Sequence, residues 1–119
     1  MKKQINIGVG DSTKTAKDFI EAWKRAERGE KIQEKNMLNF ENLEVLLKTL
    51  TPGRWSLLKK LHANSPMSIR ALANNMGRDY KNVHTDVRRL ENVGLICRTK
   101  DDRILVPWDI VEARLLLAA

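Results

Sequence analysis

The alternation of hydrophobic and polar positions predicts two short strands in the first 40 residues. In QINIGV, apolar residues alternate with polar or small ones at Ile5, Ile7 and Val9. This period of two is typical of a half-buried strand, and Gly10 and Asp11 end it. The segment KNMLNF is the second strand candidate.

Two helices are predicted in the same part of the chain. From about Ser12 to Arg28 the apolar residues recur at helical spacing, and Gly29 follows where a helix often ends. The segment ENLEVLLKTL predicts the second helix, with an apolar stripe of Leu43, Leu46, Leu47 and Leu50. A strand–helix–strand unit of this size leaves faces and edges open, so it needs the rest of the chain, a second copy or a partner to cover them.

Start and stop signals predict three further helices between residues 51 and 92. Their N-caps are Thr51, Ser68 and Asp79, and Pro52 stands at the first helical position of the first one. The first ends near Ala63–Ser65, and the others end at Gly77 and near Asn92, before Gly94. LICR and RILV flank the turn TKDD and predict a hairpin. The tail PWDIVEARLLLAA fits either a helix or a strand.

The helix beginning after Asp79 has two different faces. On a helical wheel Val83, Val87 and Leu90 share one narrow sector, while Lys81, Thr85 and Arg88 lie almost opposite. The turn GRD before it is too short for antiparallel stacking, so this helix must cross the preceding one steeply. That is helix-turn-helix geometry, in which the second helix enters the major groove of DNA. A merely solvated helix would carry more glutamate than this face does.

Charge and composition favour the same interpretation. The 119 residues include 22 basic and 15 acidic side chains, a net charge of +7, and a sequence pI near 9.8. Such an excess suggests a polyanionic partner, most often nucleic acid. The length predicts one domain with a sizeable core. With no membrane-spanning run or signal peptide, and with Cys97 as the one cysteine, we expect a cytoplasmic protein.

From Thr51 to Val106 the chain resembles the winged helix-turn-helix of MarR-type regulators. The resemblance is carried by LTPGRWSLLKKL, by SIRALANNMGRDYKNVHTDVRRLENVGLI and by the hairpin, which is the wing in that family. The whole chain further resembles small MarR-like prokaryotic proteins, some of which are antitoxins of toxin–antitoxin pairs. The resemblance implies an α+β fold, a strand in the tail and a homodimer.

The resemblance also implies which residues contact double-stranded DNA. The helix that begins after Asp79 is the recognition helix in that family, and its residues would contact the groove: Tyr80, Lys81, Asn82, His84, Thr85, Arg88 and Arg89. Supporting phosphate contacts are assigned to Ser68, Arg70, Arg78, Arg98, Lys100 and Arg103. The wing departs from the basic pattern because Asp101 and Asp102 lie at its tip, where carboxylates would repel phosphate.

Enzyme and metal sites are weaker interpretations. INIGVGDSTKT approaches a phosphate-binding loop, but Thr13 stands where the second glycine is needed, and no downstream run predicts a parallel sheet with a metal-binding Asp at a strand end. His62, His84 and Cys97 are not spaced as a metal site, and His62 and Cys97 are expected to pack in the core. Trp23, Trp55 and Trp108 are also expected at packing positions. No catalytic residue, cofactor or metal is predicted.

The sequence therefore predicts a non-enzymatic, sequence-specific DNA-binding regulator that represses its own operon. Residues 1–50 would serve dimerisation or partner binding, and residues 51–119 would form the winged helix-turn-helix region with the tail strand. The alternative function is an antitoxin that mainly neutralises a toxin protein. A third interpretation is RNA binding or a scaffold role.

Overall fold

The computed structural model describes residues 2–10, 37–115 and 117. The strands are β1 (Gln4–Val9), β2 (Met37–Phe40), β3 (Cys97–Arg98), β4 (Ile104–Leu105) and β5 (Ile110–Ala113). The helices are α1 (Leu43–Thr49), α2 (Pro52–Asn64), α3 (Ile69–Met76) and α4 (Tyr80–Asn92). This mixture of helices and small sheets agrees with the predicted α+β class. The helix predicted over Ser12–Arg28, with Trp23, lies outside the described residues.

The chain forms two compact units, where the length had predicted one domain. The first, the helical unit, is Thr49–Asp109, and the second, the sheet unit, is Lys2–Lys48 with Ile110–Ala119. The boundary between the two units falls between Lys48 and Thr49, and the sequence divides the chain near residue 50. The tail had been assigned to the winged-helix region, whereas β5 belongs to the sheet unit.

The sheet unit contains a parallel sheet with the order β2-β1-β5. Ile7 is in register with Leu38 of β2, and Ile5 is in register with Val111 of β5. Both faces of the central strand β1 are covered, since Asn6 is buried together with its neighbours Ile5 and Ile7 instead of facing solvent.

The tail is a strand, as the resemblance implied. The amide N–H of Ile110 donates to the carbonyl of Lys3 at 3.1 Å, and that of Arg114 donates to the carbonyl of Ile7 at 3.3 Å. These bonds occupy the edge of β1 that β2 does not. The open edge expected for the first 50 residues is thus covered by the end of the same chain.

The helical unit is held by the apolar positions that periodicity predicts. Its largest fully buried side chains come from all three helices and from the chain around the hairpin: Leu57, Leu61, Leu72, Val83, Val87, Leu90, Leu95, Ile96 and Ile104. The three predicted N-caps are confirmed, since Thr51, Ser68 and Asp79 accept N–H bonds at 3.2, 3.0 and 3.2 Å. Gly77 ends α3 with a φ of +63°, a conformation that favours glycine.

The predicted hairpin is confirmed, and the chain at Met67 pairs with it as a third segment. Strands β3 and β4 pair antiparallel, with Arg98 opposite Ile104. Met67, just before α3, exchanges both backbone hydrogen bonds with Ile104, at 2.8 and 3.1 Å. This bridge fixes the hairpin to the N-terminal end of α3.

Several side chains expected in the core are exposed. In α1 Leu46 is buried, but Leu43 and Leu47 are 42% and 60% exposed, because the helix is short and only one side of it is covered. Trp55 is 41% exposed, while the Trp108 indole is half-buried and donates to the Gly94 carbonyl at 3.0 Å.

The core placements of Cys97 and His62 were also wrong. Cys97 is exposed, and so is Arg98, the other residue of the two-residue strand β3. His62 is exposed and its Nε2 lies 3.0 Å from Oδ1 of Asp109. Among the described helices, none is long and apolar enough to cross a membrane.

Candidate nucleic-acid interface

Helix α4 presents its polar face to solvent, as the wheel predicted. Val83, Val87 and Leu90 have no exposed surface, because their spacing of four and three residues puts them on the side that packs on α3 and the core. The turn Gly77–Asp79 and the Asp79 cap set where the helix begins. Six predicted contact residues are exposed and His84 is half-buried; the six are Tyr80, Lys81, Asn82, Thr85, Arg88 and Arg89.

The carboxylate of Asp86 does not face solvent with these residues. Its Oδ1 accepts from Nε of Arg54 in α2 at 3.1 Å, and its Oδ2 accepts from Nη2 of Arg78 at 2.9 Å. The Asp86 side chain is only 16% exposed, and its two ion pairs tie α2, the turn and α4 together. Arg78, assigned to phosphate, is therefore engaged within the protein.

Glu91, the other carboxylate within α4, is held by the hairpin. Nε and Nη2 of Arg98 donate to its two carboxylate oxygens at 2.9 and 3.0 Å, and Nη1 donates to Oδ1 of Asp102 at 2.8 Å. The hydrogen bonds from Arg98 lower the pKa of Glu91, and the two carboxylates raise the pKa of Arg98. A bidentate pair of this kind fixes both distance and orientation between hairpin and helix.

The tip of the hairpin neutralises its own charge. Nε of Arg103 lies 3.6 Å from Oδ2 of Asp101, and the hydroxyl of Thr99 donates to Oδ1 of that carboxylate at 2.6 Å. The Thr99 hydrogen bond is the main cause that lowers the pKa of Asp101. Both arginines assigned to wing contacts, Arg98 and Arg103, thus have carboxylate partners in the hairpin, and Lys100 is exposed.

A cluster of three side chains joins the beginnings of α3 and α4. The guanidinium carbon of Arg70 lies 4.5 Å from the ring centroid of Tyr80, a cation–π distance. The ring of His84, one turn along α4, lies 5.9 Å from that of Tyr80 at an interplanar angle of 41°. Three residues predicted separately as DNA contacts are therefore brought together.

Two hydroxyls of the predicted site have local partners. Ser68 Oγ accepts the N–H of Ala71 as a cap, and Thr85 Oγ1 donates to the carbonyl of Lys81 at 3.1 Å. Each oxygen retains hydrogen-bonding capacity for a ligand, since a hydroxyl has one donor and two acceptor positions.

The ion pairs around α4 were missed by sequence reasoning. Asp86 had been placed on the side of the polar face, although its position on the wheel adjoins the buried sector. A carboxylate at such a boundary needs a cationic partner, which is the signal that could have led to Arg54. Nothing local points to the Glu91–Arg98 pair, since it depends on how the hairpin folds back.

The charge left on the surface of α4 is positive. Asp86 and Glu91 are ion-paired, and the Asp79 carboxylate accepts the N–H of Asn82 at the helix N-terminus. Lys81, Arg88 and Arg89 are exposed. Within the described ranges, no group of three or more His, Cys, Asp or Glu side chains is placed to hold a metal ion.

The helical unit thus consists of three helices and a hairpin, and one face of α4 is exposed and cationic. The family model HVO_A0114 matches residues 49–113, which is more than half of the chain, and the chain belongs to this family. The match begins with the helical unit and ends with β5. No curated protein and no solved structure matches the chain.

Proposed function

We propose that this protein binds double-stranded DNA sequence-specifically through the exposed face of α4. The observation that carries the proposal is the sorting of charge on this helix. Its apolar residues are fully buried and Asp86 and Glu91 are ion-paired, while Lys81, Arg88 and Arg89 remain exposed. A surface of cations and amides without competing carboxylates suits a polyanion.

The order of elements supports a winged helix-turn-helix within this proposal. Helix α3, the three-residue turn, α4 and the β3–β4 hairpin follow one another as in that class of DNA-binding unit. With α4 in the major groove, Arg88 or Lys81 suits guanine O6 and N7, and the Asn82 amide suits adenine N6 and N7. Direct contacts of this type distinguish base pairs.

The proposed biological role is repression of the protein's own operon. A protein seated in the major groove of an operator excludes RNA polymerase sterically, and this needs neither a cofactor nor a catalytic residue. The resemblance to MarR-like regulators supports the role, and the geometry of α4 supports the binding that it requires.

A homodimer is part of the proposal. Leu43 and Leu47 are spaced by one turn of α1 and are both exposed, so they form an apolar strip that a second copy could bury. Two-fold symmetry would place two α4 helices on the half-sites of an operator. The alternative occupant of this strip is a toxin protein, which would make the protein an antitoxin.

The experiment that tests DNA binding compares two lysine variants. Full-length protein is titrated against a genomic fragment library and a random duplex from about 50 mM salt upwards. Affinity should fall as salt rises, so that log Kd increases with log salt by about 0.9 for each phosphate contact. Lys81→Ala should weaken binding. Lys60→Ala, which removes the same charge from the exposed side of α2, should weaken it much less. Undetectable binding of wild type at about 50 mM salt would refute the proposal.

A further inference from the structure

Arg70 differs from most of the arginines near the proposed interface in how it is held. Arg54, Arg78, Arg98 and Arg103 have carboxylate partners. Among the described residues Arg70 has no carboxylate within ion-pair distance; its guanidinium lies over the Tyr80 ring instead. A guanidinium held by its face keeps its N–H edges and its full charge available to an anion.

The position of this stack is defined by two helices. Arg70 lies in the first turn of α3 and Tyr80 is the first residue of α4. The His84 ring, one turn along α4, lies 5.9 Å from the Tyr80 ring. Because the turn between the helices is short and capped at both ends, the stack is anchored on rigid backbone on both sides.

We propose that Tyr80 is a positioning residue that presets the Arg70 guanidinium to bind a phosphate of the DNA backbone. The inference rests on the proposed function, and it assigns to Tyr80 a role through Arg70 instead of a base contact of its own. A long arginine side chain loses conformational freedom when it binds, and the stack removes part of that loss beforehand. The target is phosphate because Arg70 belongs to α3, whereas α4 is the helix that enters the groove.

The test is a double-mutant cycle measured by titration against two duplexes. One is the duplex selected for tightest binding from the genomic fragment library, the operator duplex, and the other is a random duplex. The variants are Arg70→Ala, Tyr80→Leu, the double variant and Tyr80→Phe, each in the full-length protein. Arg70→Ala should weaken binding to both duplexes by about tenfold or more, the effect of a lost charge-assisted hydrogen bond. It should also reduce the salt slope by about 0.9.

The Tyr80 variants separate positioning from direct contact. Tyr80→Leu should weaken binding to both duplexes by about two- to fivefold, which corresponds to the free energy of an exposed cation–π contact. In the Arg70→Ala background it should have no further effect on Kd. Tyr80→Phe keeps the ring and should bind like wild type. Melting curves establish that each variant is folded.

A second readout does not require DNA. In the free protein the ring of Tyr80 should shift the side-chain proton resonances of Arg70 upfield in wild type and in Tyr80→Phe, and this shift should vanish in Tyr80→Leu. Absence of the shift in wild type would overturn the inference even if Tyr80→Leu failed to fold.

The outcomes distinguish the two proposals. Wild type that binds no duplex refutes the proposed function, and the role of Tyr80 falls with it. Wild type that binds while the two substitutions act additively overturns the positioning role alone. Equal losses in Tyr80→Phe and Tyr80→Leu would do the same, because they would show that the hydroxyl makes the contact.

Discussion

At the scale of single residues, α4 separates side chains that hold the fold from side chains that face outward. Val87 has no exposed surface and Arg88, its neighbour in sequence, is exposed. The rotation of about 100° between consecutive residues of a helix is enough to give neighbours different roles. Substitutions at these two positions should therefore have different effects.

Arg88→Ala should weaken operator binding more than random-duplex binding and relax the preference at one base pair. A bidentate base contact contributes about 1–3 kcal/mol of discrimination, and Arg88 is exposed, so its truncation should leave the fold intact. The measurement is Kd for both duplexes, with melting curves alongside. Val87→Ala is the control, since it should lower the free energy of unfolding by roughly 2 kcal/mol through a core cavity. An equal loss of affinity for both duplexes would show that Arg88 contacts phosphate and does not distinguish base pairs.

Asp86→Ala should destabilise the helical unit by about 1–3 kcal/mol, because two partly buried arginines lose their shared carboxylate. Arg54 and Arg78 are 17% and 34% exposed, so water replaces that partner only in part. Denaturant unfolding gives the free energy. Glu44→Gln, at an exposed position of α1, is the matched loss of a carboxylate and should change stability little. Unchanged stability of Asp86→Ala would mean that these ion pairs do not hold α4.

At the scale of elements, the arginines of the hairpin form ion pairs with α4 and with the hairpin itself, so they do not extend into solvent as free cations. Arg98 spans Glu91 of the helix and Asp102 of its own turn, and Arg103 faces Asp101. The carboxylates of the acidic tip thus have cationic partners within the hairpin. The charge available for phosphate at the hairpin is correspondingly small.

Releasing Arg98 should strengthen DNA binding. Glu91→Gln combined with Asp102→Asn removes both carboxylates, and asparagine tolerates the φ of +64° at residue 102. With Arg98 available for phosphate, affinity for every duplex should rise, and the salt slope should steepen by about 0.9. Glu44→Gln with Asp109→Asn makes the same change in net charge away from the hairpin. An equal rise in affinity in that control would show that the change in net charge alone causes the gain.

At the scale of the whole molecule, the exposed apolar strip of α1 is the feature most suited to assembly. Leu43 and Leu47 lie on α1, which belongs almost wholly to the sheet unit, and they contribute little to a buried core. Deleting residues 1–50 would be a poor test, since it would also remove β1, the pairing partner of β5. A point substitution in the full chain avoids this difficulty.

Leu47→Glu should convert a dimer of the full-length protein to a monomer, because a carboxylate would be buried at the interface without a partner. Sedimentation at micromolar concentration measures the change. Ser56→Glu, which adds the same charge to the exposed side of α2, should leave the dimer intact. A wild-type monomer would contradict the homodimer and would leave this strip for a different protein partner.

The sequence by itself determined the local features of this protein. The three caps, the ends of α2, α3 and α4, the buried sector of α4 and the hairpin were all predicted. Each depends on hydrogen bonds or side-chain spacing within a few residues, so the signal is complete in a short window. The exposed face of α4, which carries most of the candidate site, was predictable for the same reason.

The tertiary structure decided the rest. Pairing of β5 with β1 joins residues about a hundred positions apart, and no local pattern specifies which strand covers that edge or in which direction. The exposure of Cys97 and Trp55 depends on what packs over them. The partners of Asp86 and Glu91 depend on side chains that reach across helix and hairpin, at distances that only the folded chain sets.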